Sequence, residues 1–255
     1  MRDSISDRAG SRACLASELL AGLRALPVQA PDAILAPGPC LVLAPHPDDE
    51  TFGCGGLIAL QSARRRFDVI VLTDGTGSHS GSVRFPAPRL AALREAEVEE
   101  AVKRLGLGRE RLHFMRLEDR RAPQQGPELE SAANRVRELL DATGAATLLT
   151  TWRCDPHADH QAASLIAHEA GRGTTVRILE FPVWAWTLDP HAWVEIPPLC
   201  GARVDISGAL PAKRAAIAAH ASQTTDLIRD DPNGARLPEE FISLFTGPYE
   251  TFLFA

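Results

Sequence analysis

Two short segments gather the residues able to do chemistry. Pro45-His46-Pro47-Asp48-Asp49-Glu50 places an imidazole and three carboxylates in one turn. About 110 residues further on, Asp155-Pro156-His157-Ala158-Asp159-His160 adds two imidazoles and two carboxylates. An imidazole and a carboxylate from one turn, joined by an imidazole from the other, make a three-donor site. Such a site leaves a fourth position for water, the usual form of a catalytic zinc centre. Zinc lowers the pKa of its water to about 7, and hydrolysis then needs a base for that water and a donor for the developing oxyanion. The two segments hold enough groups for all of these roles. Non-haem iron takes the same donors, so the residue types leave the metal open between Zn²⁺ and another divalent ion such as Fe²⁺. Each residue also has a structural reading. Asp48, Asp49 or Asp159 could cap a helix, and a single histidine at a strand end is more often a packing or surface residue than a ligand. The pairing of the two clusters is what points to a site.

For the clusters to meet, the chain between them must fold back on itself. Residues 40–45, CLVLAP, form an unbroken apolar run of the kind found in a strand buried on both faces, and residues 67–73, FDVIVLT, form another. Further strands are predicted at 111–117, 146–151 and 176–181, with helices at 54–66, 88–106, 127–143 and 159–171. This alternation predicts an α/β protein, a Rossmann-like three-layer sandwich with a largely parallel sheet. Ligands of such sheets bind beyond the carboxyl ends of the strands, where both clusters fall. Asp74 and Asp119 follow the second and third strands at the same edge. Asp74 reads as a substrate-hydroxyl contact or as a turn cap. Residues 75–88 are Gly/Ser-rich and long for a connector, so Ser78, His79 and Ser80 read as a lid, a substrate wall or a solvated loop. Glu50 reads either as a support behind the metal ligands or as a charge facing a helix N-terminus. Beyond residue 182 the alternation weakens, leaving a helix at 209–221 and a final apolar run. Ahead of the first strand, Leu15, Leu19, Leu20 and Leu23 give helical spacing over 12–26, followed by a Pro-rich connector.

Composition narrows the class. The 255 residues carry a formal charge of -6, which disfavours a nucleic-acid partner, since that surface rewards clustered Lys and Arg. No run approaches the roughly 20 apolar residues of a membrane span, and the charged N-terminus lacks the pattern of a secretory signal. The expectation is a cytoplasmic protein with a small-molecule substrate. The five cysteines form neither a disulfide framework nor a CxxC pair. Cys54 and Cys154 flank the clusters and read as small packing residues rather than ligands. The glycines at 53–56 are not a dinucleotide fingerprint, because the acidic turn occupies the phosphate position. Trp184, Trp186 and Trp193 form an aromatic patch that reads as core packing, as a contact between copies in a homo-oligomer, or as a sugar-stacking face.

These motifs carry a family resemblance. A-P-H-P-D-D-E-x-x-G-C-G-G after a first buried strand, with a later P-H-x-D-H, resembles the LmbE-like, or PIG-L, family of zinc-dependent N-acetylglucosaminyl deacetylases. Leu93-Arg94-Glu95-Ala96-Glu97 through Leu105-Gly106 looks like its R-x-x-E…L-G helix. Lys213-Arg214-Ala215-Ala216-Ile217 through His220-Ala221-Ser222-Gln223 looks like its K-x-x-A…H-x-S-Q segment. His220 and Gln223 in that segment also have an ordinary packing and capping reading. The resemblance covers residues 39–255 as a deacetylase domain, with 1–38 as an N-terminal extension of helix and connector. It implies His46, Asp49 and His160 as metal ligands and Asp48 as general base. It further implies His157 as the stabiliser of the oxyanion, with Asp159 hydrogen-bonding and orienting it. Arg94, Asp74 and Asp119 would contact substrate. The implied reaction is hydrolytic removal of acetyl from an N-acetylglucosamine-type sugar or its conjugate. The alternatives are an amidase for a larger amide conjugate and a non-catalytic metal-dependent sugar-binding protein, although mere binding has no need of Asp48 beside the ligands.

Overall fold

The computed structural model describes residues 11–255; the first residues of the N-terminal segment lie outside the described part. The chain opens with strand β1 (Arg12–Leu15), helix α1 (Ala16–Ala25) and the short α2 (Pro31–Ile34). The α/β alternation then runs through β2 (Cys40–Ala44), α3 (Asp49–Gln61), β3 (Phe67–Thr73), α4 (Ala87–Arg104), β4 (Leu112–Leu117), α5 (Gly126–Thr143), β5 (Thr147–Thr151), α6 (Ala158–Gly171) and β6 (Arg177–Phe181). A less regular region follows: β7 (Trp193–Ile196), β8 (Gly201–Asp205), α7 (Leu210–Ala219), α8 (Ala221–Thr224), α9 (Glu239–Leu244) and β9 (Tyr249–Phe254).

Seven strands form one sheet in the order β4-β3-β2-β5-β6-β9-β8, parallel from β4 to β6, with β9 antiparallel to both of its neighbours, β6 and β8. This is the α/β class expected. The continuous apolar runs arise because both faces are covered. In β2, Cys40 and Val42 point to the layer holding Leu57, Val98, Val102 and Ile217 of α3, α4 and α7, while Leu41 and Leu43 point to Val136, Leu140, Ala163 and Ile166 of α5 and α6. The strand order also explains the position of the site. The chain adds β3 and β4 on one side of β2 and then β5 and β6 on the other. The connections leaving β2 and β5 therefore splay apart and open a crevice, the switch point where α/β sheets bind ligands.

Three expectations change. The helix predicted over 12–26 begins only at Ala16, because Arg12–Leu15 pair antiparallel with Trp193–Ile196. The helix predicted at 54–66 begins at Asp49 and is broken at Cys54 (φ -141°, ψ 15°). The break leaves amides unpaired within the helix, and Glu250 of β9 accepts from two of them, Gly56 N and Leu57 N, at 2.6 and 2.8 Å. Past residue 182, three strands and two short helices form that the alternation did not signal, since their partners are remote in sequence. No described helix is long and apolar enough to cross a membrane.

Candidate metal centre and substrate cleft

The turn after β2 is shaped by its own backbone. His46 O accepts from Asp48 N and Asp49 N at 2.9 and 3.3 Å, and Asp48 O accepts from Thr51 N and Phe52 N at 3.0 Å each. His46 and Asp49 are thereby folded onto one another. Asp49 Oδ2 lies 3.0 Å from His46 Nδ1 and 3.3 Å from His160 Nε2. Two donors at about 2.0–2.1 Å from a tetrahedral ion sit about 3.3 Å apart, so this spacing suits a shared cation. His160 Nε2 is buried and has no hydrogen-bond partner. Its other ring nitrogen, Nδ1, is 2.9 Å from Asp155 Oδ2, and the Asp155 carboxylate is itself held by the backbone amides of Val183, Trp184 and Ala185. Asp155 keeps a proton on Nδ1, so Nε2, which faces Asp49, is the nitrogen that would give up its proton to a metal. His46 has the reverse arrangement, with Nε2 3.2 Å from Asp159 Oδ2 and 3.3 Å from Asp119 Oδ1.

Two donor sets have ligand atoms that all lie close enough to one another to hold an ion: His46, His157 and His160, and His46, Asp119 and Asp159. Both have other engagements, as does Asp49, whose Oδ2 accepts from His46 N at 2.9 Å. His157 Nδ1 already accepts from Asp159 N at 3.2 Å. Asp119 and Asp159 approach His46 through the nitrogen turned away from Asp49, and backbone amides of Gly77, Arg120 and Ala122 occupy their oxygens. The orphaned nitrogen, His160 Nε2, belongs to the three-histidine set and also faces Asp49.

Asp48 lines a cleft beside these groups. Burial pushes its carboxyl up to about 7, against the opposing pull of Arg94. His157 also lines the cleft; burial, with help from His46 and His160, lowers its pKa to about 4. The ring is neutral, and because Nδ1 accepts, Nε2 carries the proton. The expected link between Asp159 and His157 takes a different form. The contact comes from the Asp159 backbone N–H, while the Asp159 carboxylate serves His46 and the 120–122 turn. A carboxylate clamped by two amides is not free to turn toward the imidazole.

The expected substrate contacts divide. Arg94 lines the cleft but its Nη atoms donate to Gly75 O (2.9 Å), Pro47 O (3.1 Å) and Asp48 Oδ2 (3.0 Å). Gly75 must be glycine for this brace, because its φ is +67° and a Cβ there would lie 2.7 Å from Arg94 Nη1. Asp74 lies outside the cleft lining. Its Oδ1 accepts from Thr76 N and Oγ1 at 3.0 and 2.9 Å, which closes the turn after β3. Asp119 does line the cleft. Although burial works the other way, contacts with His46 and Arg94 hold its carboxyl well below the usual range.

Ser78 and His79 are buried, and Ser78 O accepts from Ala235 N at 2.6 Å, making the loop a packed wall. Gln223 reaches the cleft because Glu97 grips Ser222 N and Oγ at 2.6 Å each, so its segment does more than pack and cap. Glu50 is wholly buried, accepts from Thr51 Oγ1 at 2.6 Å and lies 3.7 Å from His220, and burial raises it to about 8. It stands in the first turn of α3, in the interior behind the 45–49 turn. Cys54 is buried in the core and donates to Glu50 O. The sequence reading assigned no role to Asp155, although it stands in the same motif as His157 and His160. It also missed the apolar wall of Phe52, Val183, Leu237 and Phe241. Leu237 and Phe241 belong to the region without periodicity, so nothing in their spacing marked them. Trp184 completes that wall, stacked on His157 at 6.4 Å, while Trp193 is exposed on β7.

Fold and site define a Rossmann-like α/β protein of the LmbE-like type, with a His/Asp cluster at the switch point of its sheet. The model of the family described as GlcNAc-PI de-N-acetylase, PIG-L, matches residues 41–171, just over half of the chain. The chain belongs to this family of deacetylases. Among solved structures it is similar to the N,N'-diacetylchitobiose deacetylase from Pyrococcus horikoshii, at 21% identity and a TM-score of 0.66 over 91% of this chain and 87% of that one. It is also similar to a conserved protein from Thermus thermophilus, at 25% identity and a TM-score of 0.58 over 84% of this chain and 93% of that one. A zinc-inhibited form of the teicoplanin deacetylase Orf2 matches at 18% identity and a TM-score of 0.63, over 85% and 97%. No curated protein sequence matches the chain.

Proposed function

We propose that this protein is a metal-dependent N-deacetylase of N-acetylglucosamine-type amino sugars or their conjugates, with His46, Asp49 and His160 holding Zn²⁺. The observation that carries the reading is the position of Asp49 Oδ2 between His46 Nδ1 and the otherwise unpartnered His160 Nε2. A bound divalent ion supplies a water of lowered pKa and polarises the amide carbonyl. Asp48 takes the proton from the attacking water and returns it to the leaving amine nitrogen. Arg94 braces Asp48 through Nη2, which keeps the carboxylate aimed at the cleft. His157, neutral and protonated at Nε2, donates to the oxyanion that develops on the acetyl carbonyl. Asp119 accepts from a sugar hydroxyl. The likeness to the N,N'-diacetylchitobiose deacetylase supports an acetylated sugar as substrate. The Phe52–Trp184–Phe241 wall suits the apolar face of such a ring.

One preparation tests the reading. Metal analysis should find close to one equivalent of zinc, and acetate should be released from an N-acetylglucosamine panel in a metal-dependent way. His160→Ala should lose the metal, and Asp48→Ala should keep it while turnover falls by about 10²–10⁴. Full activity of Asp48→Ala removes it as the base. A metal-free protein indistinguishable from His160→Ala overturns the centre itself.

A further inference from the structure

The segment His220-Ala221-Ser222-Gln223 joins α7 to α8, and its three polar side chains are all buried. Each goes to a different part of the site. Ser222 is gripped by Glu97, which stands one turn along α4 from the Arg94 that braces Asp48. Gln223 lines the cleft and donates through Nε2 to Ser222 Oγ at 2.9 Å. His220 reaches the turn after β2, with Nε2 3.2 Å from Thr51 Oγ1 across 169 residues of sequence. Thr51 is tied directly to that turn. Its N–H donates to Asp48 O at 3.0 Å and its hydroxyl to Glu50 Oε1 at 2.6 Å.

The His220 ring is a poor way to stabilise an interior. It is fully buried, and Nδ1 has no hydrogen-bond partner among the described residues. Burial, helped by the charge of Arg94, pushes its pKa down to about 3. The ring is therefore neutral and forms no ion pair with Glu50, 3.7 Å away. An unpaired buried polar atom costs about 1–3 kcal/mol, which an apolar side chain of similar shape avoids. The one hydrogen bond the ring does make falls where the backbone needs help. Helix α3 has no side-chain cap at its N-terminus, so nothing from its own preceding residues fixes the first turn by a side chain.

We infer that His220 is a positioning residue for the Asp48–Asp49 turn, acting through the Thr51 hydroxyl. The inference rests on the reading of that turn as the metal ligand and base. With the Thr51 contact made, Asp49 Oδ2 is held between His46 and His160, and Asp48 keeps its place against Arg94. In such a centre a misplacement of about 1 Å is enough to cost about 10²-fold in rate.

Zinc affinity of the metal-free protein, read by competition with a chromophoric chelator, tests this independently of turnover. His220→Leu and Thr51→Val each remove one partner of the contact. Each should weaken zinc binding about tenfold, and the double variant should weaken it no further than either single one. His220→Gln, whose carboxamide can still meet the Thr51 hydroxyl, should keep most of the affinity. His220→Leu should melt no lower than the parent, since leucine replaces an under-bonded ring. A role confined to packing gives the opposite pattern, a lower melting temperature with zinc affinity intact. Should His220→Leu fail to fold, Thr51→Val decides, and full affinity there overturns the inference. Unchanged affinity in His220→Leu, additive losses in the double variant, or no rescue by His220→Gln also overturn it. A parent that binds zinc and shows the expected pattern yet releases no acetate removes the deacetylase reading and leaves the positioning role. A parent that releases acetate with zinc affinity indifferent to position 220 removes the positioning role alone, and a parent that binds no zinc overturns both.

Discussion

Asp155 shows how a residue outside the coordination sphere controls what happens inside it. Its carboxylate is fixed by three backbone amides at the start of the 183–187 turn and accepts the Nδ1 proton of His160. It thereby decides which nitrogen of His160 is left to meet a metal. Asp155→Asn keeps the shape but replaces a charged acceptor with a neutral amide. Zinc affinity, measured by competition with a chromophoric chelator, should fall about 10–100-fold; an unchanged affinity would remove Asp155 from the site. Side chains with unusual types in tight spacing were legible from the sequence: His46, Asp48, Asp49, His157 and His160 meet at one edge of the sheet. The partner of each was not legible. Asp159 was expected to serve His157 by its carboxylate and serves His46 and the Arg120 turn instead, because a carboxylate takes whichever donors the fold brings nearest.

Elements are joined here by a few buried charges. Lys213 of α7 and Glu250 of β9 form a buried pair at 2.6 Å, with Lys213 also donating to Phe52 O and Glu250 capping the broken middle of α3. Removing one partner of a buried pair typically costs about 3–5 kcal/mol. Lys213→Met should lower urea-unfolding stability by that amount, and a change below about 1 kcal/mol would show that α3 does not depend on the pair. A second junction is Glu180 of β6, which accepts from Ser164 and His168 of α6 and from Arg153. Burial raises its carboxyl, but these partners outweigh burial and leave it below the ordinary 4.5. A depressed carboxyl contributes stability above its unfolded value and loses it as pH falls through the folded one. The stability deficit of Glu180→Gln should therefore be full at pH 6–8 and shrink below about pH 4.5. A pH-independent deficit across that range would refute the assignment. The bounds of α3 belong to the same level. Its glycines and cysteine suggested a start at 54, whereas the start at Asp49 and the interruption at Cys54 depend on β9, almost two hundred residues away.

At the level of the whole protein, residues 12–26 are built into the body. Leu19 and Leu23 of α1 pack with Trp152, Ile196 and Leu253, and β1 extends this contact by pairing with β7. Leu19 is fully buried, so Leu19→Ala should cost about 2–5 kcal/mol in denaturant unfolding; a cost under 0.5 kcal/mol would mean that α1 is only draped on the surface. The parallel core was readable because each strand and helix there carries its own periodicity, and because packing on both faces demands unbroken apolar runs. The motif turns were readable because few structural needs call for His and Asp at that density. The cleft walls, the Glu250 cap, the partners of Asp159 and Asp155, and the meeting of His220 with Thr51 are contacts between distant segments. Spacing along a chain records local geometry, and only folding brings the remote partner into reach.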